Sequence, residues 1–424
     1  MMSSADDSLR LEYADGPLGL RIARQPPPPG AVSFSATYLG PAGWAYDARG
    51  QEGVARITTQ LLTSGAGARN RISLARFLDR AGGTLAAHCD PESAEVTVWG
   101  PATSVRPLLG VLADAVLRPR FEPADLERVR RQVYERQLRE LAQPSSRADR
   151  ELHAAIFPVG HPFRLTGMGD RKSVARLHSS DLAQFHARHF TGPGGLLVAT
   201  TSLRLRSLLG LVERLFDELP SDPPPPLRVP PPVGQRPKDV RIDLPGHSQV
   251  EVRMGGPSIA RSDPAYPAAY LADEVLGGAT LLSRLFTRVR SKGGLAYHAS
   301  SHLEAMKLGG YWGAEAGTGA DRWRRVVPML RQEVERIAGE TIPAAELDLV
   351  RESRLGEVAL ALESTSDAHE LAVDVAYNGL AADHWVTWPS VLRSLSPGEV
   401  RRAAEIALDR GRSATVVAGP LGGA

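Results

Sequence analysis

Cysteine is almost absent from this sequence, which has one, Cys89, among 424 residues. A single cysteine excludes internal disulfide bonds and any metal site built from several thiolates. Cys89 lies in the run Ala-Ala-His-Cys-Asp-Pro, directly after a segment with strand character. We interpret it as a small, half-buried side chain and not as a nucleophile.

Long apolar runs and an excess of one charge are also missing. No segment approaches the roughly 20 consecutive apolar residues that a membrane-spanning helix needs, and the first residues lack the residue order of a secretory signal. The sequence therefore predicts a soluble, cytoplasmic protein. Its 50 basic and 48 acidic residues leave a net charge of +2, which argues against a dedicated nucleic-acid-binding protein.

Proline is concentrated in one part of the chain. Nine prolines lie between residues 219 and 237, and such a segment sustains neither a helix nor sheet pairing. We therefore predict a stiff, extended linker over 219–237. It separates an N-terminal domain, 1–218, from a C-terminal domain of similar length, 238–424.

The two predicted domains share one order of elements. Two strands are followed by two helices, two further strands, a series of amphipathic helices and a final strand. The alternation of Val32, Phe34, Ala36 and Tyr38 marks one of these strands. The shared order predicts an α+β fold of two similar α/β-sandwich domains, each an antiparallel sheet with helices, related by internal duplication.

Several segments of the sequence resemble one family. In the second half they are Leu244-Pro-Gly-His-Ser-Gln-Val, Leu276-Gly-Gly-Ala-Thr-Leu-Leu-Ser-Arg-Leu-Phe and Arg290-Ser-Lys-Gly-Gly-Leu-Ala-Tyr297. In the first half they are Gly53-Val-Ala, Gly82-Gly-Thr-Leu-Ala-Ala, Gly160-His-Pro-Phe and Gln184-Phe-His-Ala-Arg-His-Phe190. Together they resemble the pitrilysin/insulinase zinc metallopeptidases. The likeness is closest to the short two-domain members, bacterial or of the mitochondrial processing peptidase type, which implies half of a clamshell dimer.

Catalytic members of that family carry the motif His-x-x-Glu-His on their first helix. The two histidines, four residues apart, lie on one face of the helix and bind zinc. The glutamate between them acts as general base on the metal-bound water. In the family, a further glutamate from a later helix completes the ligand set.

The matching segment here is Arg56-Ile-Thr-Thr-Gln60. Arg56 and Gln60 occupy the histidine positions and Thr59 the position of the base. Arginine stays protonated and cannot bind zinc, glutamine is a poor zinc ligand, and threonine cannot act as the base. The third ligand position falls on Arg136, or on Glu135 if the register shifts by one residue. The resemblance therefore implies no metal and no other cofactor in this chain.

Another pair of the family's residues is retained. In family members the second domain supplies an arginine and a tyrosine, seven residues apart, that reach toward the zinc across the dimer. Arg290 and Tyr297 match this pair in type and spacing. A guanidinium and a phenol are donors that could bind a peptide backbone or stabilise an oxyanion. The structural alternative is an arginine that ends a helix and a tyrosine that starts a strand.

The resemblance implies a non-catalytic, substrate-binding subunit of a heterodimeric zinc metallopeptidase. Its partner would be a catalytic subunit with an intact His-x-x-Glu-His motif, which holds the zinc. The substrate would be a peptide or unfolded segment, either a leader peptide or an unspecific oligopeptide. One alternative is a proteolytically inert scaffold or core subunit of a larger complex. Another is a stand-alone enzyme that uses other ligands.

A second cluster of polar residues lies on one predicted strand. Period-2 alternation places His298 and His302 on the same face, with Glu304 nearby. Because the sequence provides no evident third ligand, we do not predict a metal site there.

Overall fold

The computed structural model describes residues 9–164, 167–227, 229–230 and 239–422. Of the predicted linker 219–237, residues 228 and 231–237 lie outside the described residues, and the others form neither helix nor strand. Within the described ranges, no helix is both long and apolar enough to cross a membrane.

Strands and helices follow one another along both halves of the chain. The strands are β1 (Glu12–Asp15), β2 (Arg21–Gln25), β3 (Ser33–Gly40), β4 (Gly65–Ala66), β5 (Arg69–Asn70), β6 (Thr84–Cys89), β7 (Ala94–Pro101), β8 (Leu196–Thr200), β9 (Val240–Asp243), β10 (Gln249–Ser258), β11 (Ala296–Met306), β12 (Gly309–Gly319) and β13 (Ala414–Gly419). The helices are α1 (Val54–Leu61), α2 (Arg71–Ala81), α3 (Val105–Leu117), α4 (Pro123–Ala142), α5 (Pro144–Ile156), α6 (Arg171–Arg176), α7 (Ser179–His189), α8 (Leu205–Leu215), α9 (Tyr266–Asp273), α10 (Trp323–Gly339), α11 (Ala344–Ala361), α12 (Thr365–Asn378), α13 (His384–Ser394) and α14 (Pro397–Ala407).

The chain divides into two compact units, and neither is continuous in sequence. The first unit comprises Met1–Glu135, Gly167–Arg228 and Val358–Thr387. The second comprises Arg136–Thr166, Val229–Glu357 and Trp388–Ala424. Each unit therefore takes one internal segment from the opposite half of the sequence.

Each unit is built on one large sheet, and the two sheets share one strand order. The sheet of the first unit runs β1-β2-β8-β3-β7-β6, and that of the second runs β11-β12-β10-β13-β9. When the strands of each half are matched in chain order, β6-β7-β3-β8-β2 corresponds to β11-β12-β10-β13-β9. This correspondence confirms two similar α/β domains, as duplication of one pattern predicts.

Both sheets are mixed, whereas the sequence predicted antiparallel sheets. β2 pairs in parallel with β8, and β9 pairs in parallel with β13. The other pairs of neighbours in these two sheets are antiparallel. Each parallel pair joins an early strand of one half to its last strand, and a long helical connection allows the chain to return in the same direction.

One face of each sheet is covered by a helix from the opposite half of the sequence. Helix α5 packs on β10 and β13, where Leu152 and Ile156 join a buried cluster with Val416. Helix α12 packs on β3 and β8, where Val375 joins a cluster with Val198. The strand pairs that these helices cover are equivalent in the two sheets, so the exchange follows the duplication.

A buried histidine fixes helix α12 to the first sheet. The Nε2 atom of His369 lies 2.8 Å from Thr37 Oγ1, and its Nδ1 atom lies 3.0 Å from Thr200 Oγ1. Complete burial lowers the pKa of His369 to about 3, because the charged imidazolium is disfavoured away from water. The ring therefore stays neutral in the folded protein at any pH near neutrality.

This histidine makes stability dependent on pH. In the unfolded chain, histidine binds a proton as the pH falls below about 6.5, whereas folded His369 does not until about pH 3. As the pH falls, the unfolded state therefore binds a proton before the folded state does, and the free energy of unfolding decreases. Glutamine keeps two hydrogen-bonding groups but cannot titrate. Between pH 7 and pH 5 we therefore expect the free energy of unfolding of the His369→Gln variant to fall by about 2 kcal/mol less than that of the unaltered protein.

Urea denaturation at the two pH values measures this difference. His88→Gln makes the same change at an exposed position of the first unit and serves as the control. We expect the stability of this variant to depend on pH as that of the unaltered protein does. Equal pH dependence of the His369→Gln variant and the unaltered protein would show that His369 is not the group responsible.

Candidate functional site

Helix α1 is held at its start by a partly buried carboxylate. Asp47 accepts hydrogen bonds from the backbone N–H groups of Gly53, at 2.6 Å, and Ala55, at 2.9 Å. Gly53 has a φ of 99° and so turns the chain into the helix in a conformation that favours glycine. Burial raises the pKa of Asp47 to about 7, although the two N–H donors act in the opposite direction. These contacts set the position of the segment that would carry the zinc motif.

The first histidine position of the motif is occupied by a half-buried arginine. The guanidinium carbon of Arg56 lies 5.4 Å from the centre of the Trp44 ring. At this distance a cation is attracted to the face of an indole. Arg56 therefore presents a charged group with donors and no free electron pair, which cannot bind a metal ion.

The position of the general base is closed by packing. Thr59 is 1% exposed, and its hydroxyl donates to the backbone oxygen of Ala55 at 2.8 Å. The buried thiol of Cys89 also interacts with Thr59, and burial raises the pKa of this thiol. A hydroxyl bonded to its own helix beside a protonated thiol cannot activate water.

The second histidine position faces the helix that would provide the third ligand. The side-chain amide of Gln60 donates to Oε1 of Gln132, on α4, at 3.2 Å. Further along α4, Glu135 is exposed and the guanidinium of Arg136 pairs with Glu140 at 2.9 Å. An amide pair thus occupies this part of the site. Which of Glu135 and Arg136 matches the family's third ligand stays a prediction.

These side chains do not fit a zinc ion. A catalytic zinc site needs three ligands drawn from histidine, cysteine or carboxylate side chains. Across the part of the chain that the structure describes, no group of three such residues is placed to hold a metal. The donor set at Arg56, Thr59 and Gln60 contains a cation, a hydroxyl and an amide.

Arg290 lies in the second unit near the end of a π-helical segment, Phe286–Ser291. Its side chain is exposed, and the guanidinium carbon lies 4.9 Å from the centre of the Phe286 ring. Two glycines follow, and Gly294 adopts a φ of 58° in the turn that leads into β11. The turn connects the end of this helical segment directly to the strand that carries Tyr297.

Tyr297 lies at a β-bulge on an edge strand. In the pairing of β11 with β12, Ala296 is opposite Thr318 and His298 is opposite Gly317, so Tyr297 is the inserted residue. A bulge of this kind redirects a side chain out of the regular alternation. Tyr297 is 60% exposed, which is unusual for so large a ring. The side chains of Arg290 and Tyr297 are thus two hydrogen-bond donors exposed on the second unit.

Two of these features were not predicted from the sequence. The contact between Gln60 and Gln132 was missed, although Gln132 precedes Arg136 by one helical turn and helical periodicity could have identified it. The bulge at Tyr297 gave no signal, because an inserted residue in an exposed edge strand leaves the apolar pattern nearly unchanged.

Two family profiles match most of the chain. Residues 28–165 match the profile described as insulinase (peptidase family M16), and residues 176–354 match the one described as peptidase M16 inactive domain. The second half therefore corresponds to the family's inactive type of domain.

Relatives and a solved structure agree with these matches. An uncharacterized zinc protease of Mycobacterium bovis is 27% identical over 320 residues, covering 74% of this chain and 72% of the relative. A probable mitochondrial-processing peptidase subunit beta of Arabidopsis thaliana is 24% identical over 211 residues, covering 49% and 39%. A peptidase M16 inactive domain from Pseudomonas fluorescens superposes with a TM-score of 0.90 at 20% identity, covering 97% of this chain and 98% of that one. This last likeness bears on the fold alone, and the profile matches carry the assignment: the chain belongs to the insulinase family of peptidases, family M16.

Proposed function

We propose that this chain is a non-catalytic, substrate-binding subunit of a heterodimeric zinc metallopeptidase. The observation that carries the proposal is a contrast between two sets of residues. Arg56, Thr59 and Gln60 replace the metal ligands and the base and are engaged in contacts of their own. Arg290 and Tyr297 are exposed.

A partner of the same family would supply what this chain lacks. That partner carries His-x-x-Glu-His, binds the zinc ion and provides the general base. The present chain contributes a guanidinium and a phenol, which donate hydrogen bonds to the peptide backbone or to the oxyanion formed during hydrolysis. The exposure of Arg290 and Tyr297 supports a role toward a group outside their own unit.

An extended peptide is the substrate that the sheets favour. β6 and β11 are edge strands, and an edge strand offers unpaired N–H and C=O groups to another extended chain. Along β6, exposed side chains alternate with half-buried ones, so one face of the strand is open to such a ligand. Peptides or unfolded segments of a protein satisfy this requirement, because they can extend along the strand.

The alternative is a proteolytically inert scaffold, the core subunit of a larger complex. The contact of Arg290 with the Phe286 ring favours it, because an arginine can be retained for packing within its own helix. The two functions differ in what they require of the Tyr297 hydroxyl, which packing alone does not need.

The proposal predicts a specific heterodimer. When co-expressed with a family member of the same organism that carries His-x-x-Glu-His, this chain should form a 1:1 complex of about twice its mass of 45.5 kDa. Light scattering coupled to size-exclusion chromatography measures this mass. Two separate monomers under conditions in which the partner cleaves peptides would contradict the proposed assembly.

The proposal also predicts a catalytic effect of Tyr297 in trans. Tyr297→Phe removes one hydroxyl and keeps the ring, so we expect the turnover number of the complex to fall about a hundredfold or more. The melting temperature and the affinity for the partner should hardly change.

Tyr13→Phe is the control, because it deletes a phenolic hydroxyl on β1 of the first unit. It should leave turnover unchanged. Full activity of a Tyr297→Phe complex that assembles normally would favour the scaffold function instead.

A further inference from the structure

A cavity of about 340 Å³ lies within the second unit, between helix α5 and strands β10, β11 and β12. We propose that it binds an organic cation, a guanidinium or primary ammonium group on an aliphatic stem. Its volume is at the lower end of the range of about 300–1,000 Å³ for small-molecule sites. The polar residues that line it include Asp149, His153, Arg253, Glu304, Tyr311 and Glu315.

Carboxylates outnumber cations around this cavity. The guanidinium of Arg253 contacts Asp149 at 2.6 Å, Glu251 at 2.9 Å and Glu315 at 3.1 Å. Its side chain is 7% exposed, so this arginine is surrounded by its own counter-charges. Glu251 lies outside the cavity lining and also contacts His298 at 3.6 Å. Asp149 and Glu315 line the cavity beside the single guanidinium of Arg253, and this excess of negative charge would be balanced by a second cation.

A fourth carboxylate is available for a ligand. Glu304 lines the cavity, and its carboxylate makes no hydrogen bond or ion pair within the part of the chain that the structure describes, although its backbone pairs with β12. It lies close enough to raise the pKa of the Tyr311 hydroxyl, with Asp149 and the larger effect of burial. Glu304 and Tyr311 thus place an unpaired carboxylate and a phenolic oxygen at one side of the cavity.

A neutral histidine adds a further acceptor. The Nδ1 atom of His153 lies 2.6 Å from the backbone oxygen of Phe163. A carbonyl oxygen only accepts, so Nδ1 carries the hydrogen and donates it. Burial lowers the pKa of His153 and keeps the ring neutral, which leaves Nε2 as an acceptor with no hydrogen bond in the described part of the chain. A donor-rich ligand would satisfy this ring nitrogen of the partly buried histidine.

The remaining lining is apolar and suits a hydrocarbon stem. Leu152 and Met254 line the cavity beside the ring of Tyr311. The imidazole of His302 packs against Gly313, where an added Cβ would come within 2.4 Å of the ring, so this position requires glycine. An apolar wall beside several acceptors fits a side chain such as that of arginine, and a bare metal ion would not use the apolar wall. The same chemistry occurs in free amines and in basic residues of a peptide.

Binding can be measured on the purified full-length chain without a partner or zinc, so its result is independent of the proposed peptidase function. The probes for titration calorimetry are agmatine, a free cation, and two peptides that differ by arginine or its neutral analogue citrulline. We expect agmatine, the arginine peptide, or both to bind, and citrulline to weaken binding of the peptide at least about tenfold. Agmatine alone would identify a free small molecule as the ligand, and the peptide alone a basic side chain.

Glu304→Gln tests the cavity directly, because Glu304 is exposed and its change should not disturb folding. We expect it to weaken binding at least about tenfold, and Tyr311→Phe to weaken it by a smaller factor. Glu335→Gln, the same change at an exposed position of α10, should have no effect. Three results would each overturn the proposal. Neither agmatine nor the arginine peptide binds, or the arginine and citrulline peptides bind with equal affinity. The third is an equal loss of binding affinity in the Glu304→Gln and Glu335→Gln variants.

Discussion

The structure depends on the burial of both faces of each sheet. The helices from the same half of the sequence do not cover both faces. Helix α5 covers β10 and β13, and helix α12 covers the equivalent strands β3 and β8. Buried clusters that contain Leu152 and Val416 in one unit, and Val375 and Val198 in the other, remove these faces from water. Burial of apolar side chains is the main favourable contribution to folding. Each sheet is therefore completed by a segment from the opposite half of the sequence.

The polar features of both units follow from this exchange. In the first unit, α12 carries His369 into a pair of threonine hydroxyls on the sheet, where burial disfavours a charged imidazole. In the second unit, α5 carries Asp149 and His153 to the face of the sheet that holds Arg253 and Tyr311. Each sheet also ends in an edge strand, β6 or β11, which has only one strand neighbour within the described residues. The arrangement thus separates a covered face of each sheet, where polar groups are fixed, from its edge strands.

Much of this could be predicted from the sequence, because the signals were local. The alternation of Val32, Phe34, Ala36 and Tyr38 marks the strand that the structure places at Ser33–Gly40. The replacement of zinc ligands at Arg56 and Gln60 is a matter of residue chemistry and needs no coordinates. The exchange of α5 and α12 could not be predicted, since it joins residues such as Leu152 and Val416 that are far apart in sequence. The same distance concealed the parallel pairs of strands and the cavity, and the bulge at Tyr297 changes backbone geometry without changing the pattern of residue types.

Our proposal that this family member acts only with a partner depends on its lack of a zinc site. Elemental analysis of the purified chain, after incubation with excess zinc and removal of the free ion by gel filtration, tests it most directly. We predict no stoichiometric zinc, because a guanidinium, a hydroxyl and an amide occupy the positions of the ligands and the base. About one tightly held zinc ion per chain would contradict the proposal, most clearly if Gln60→Ala abolished the binding.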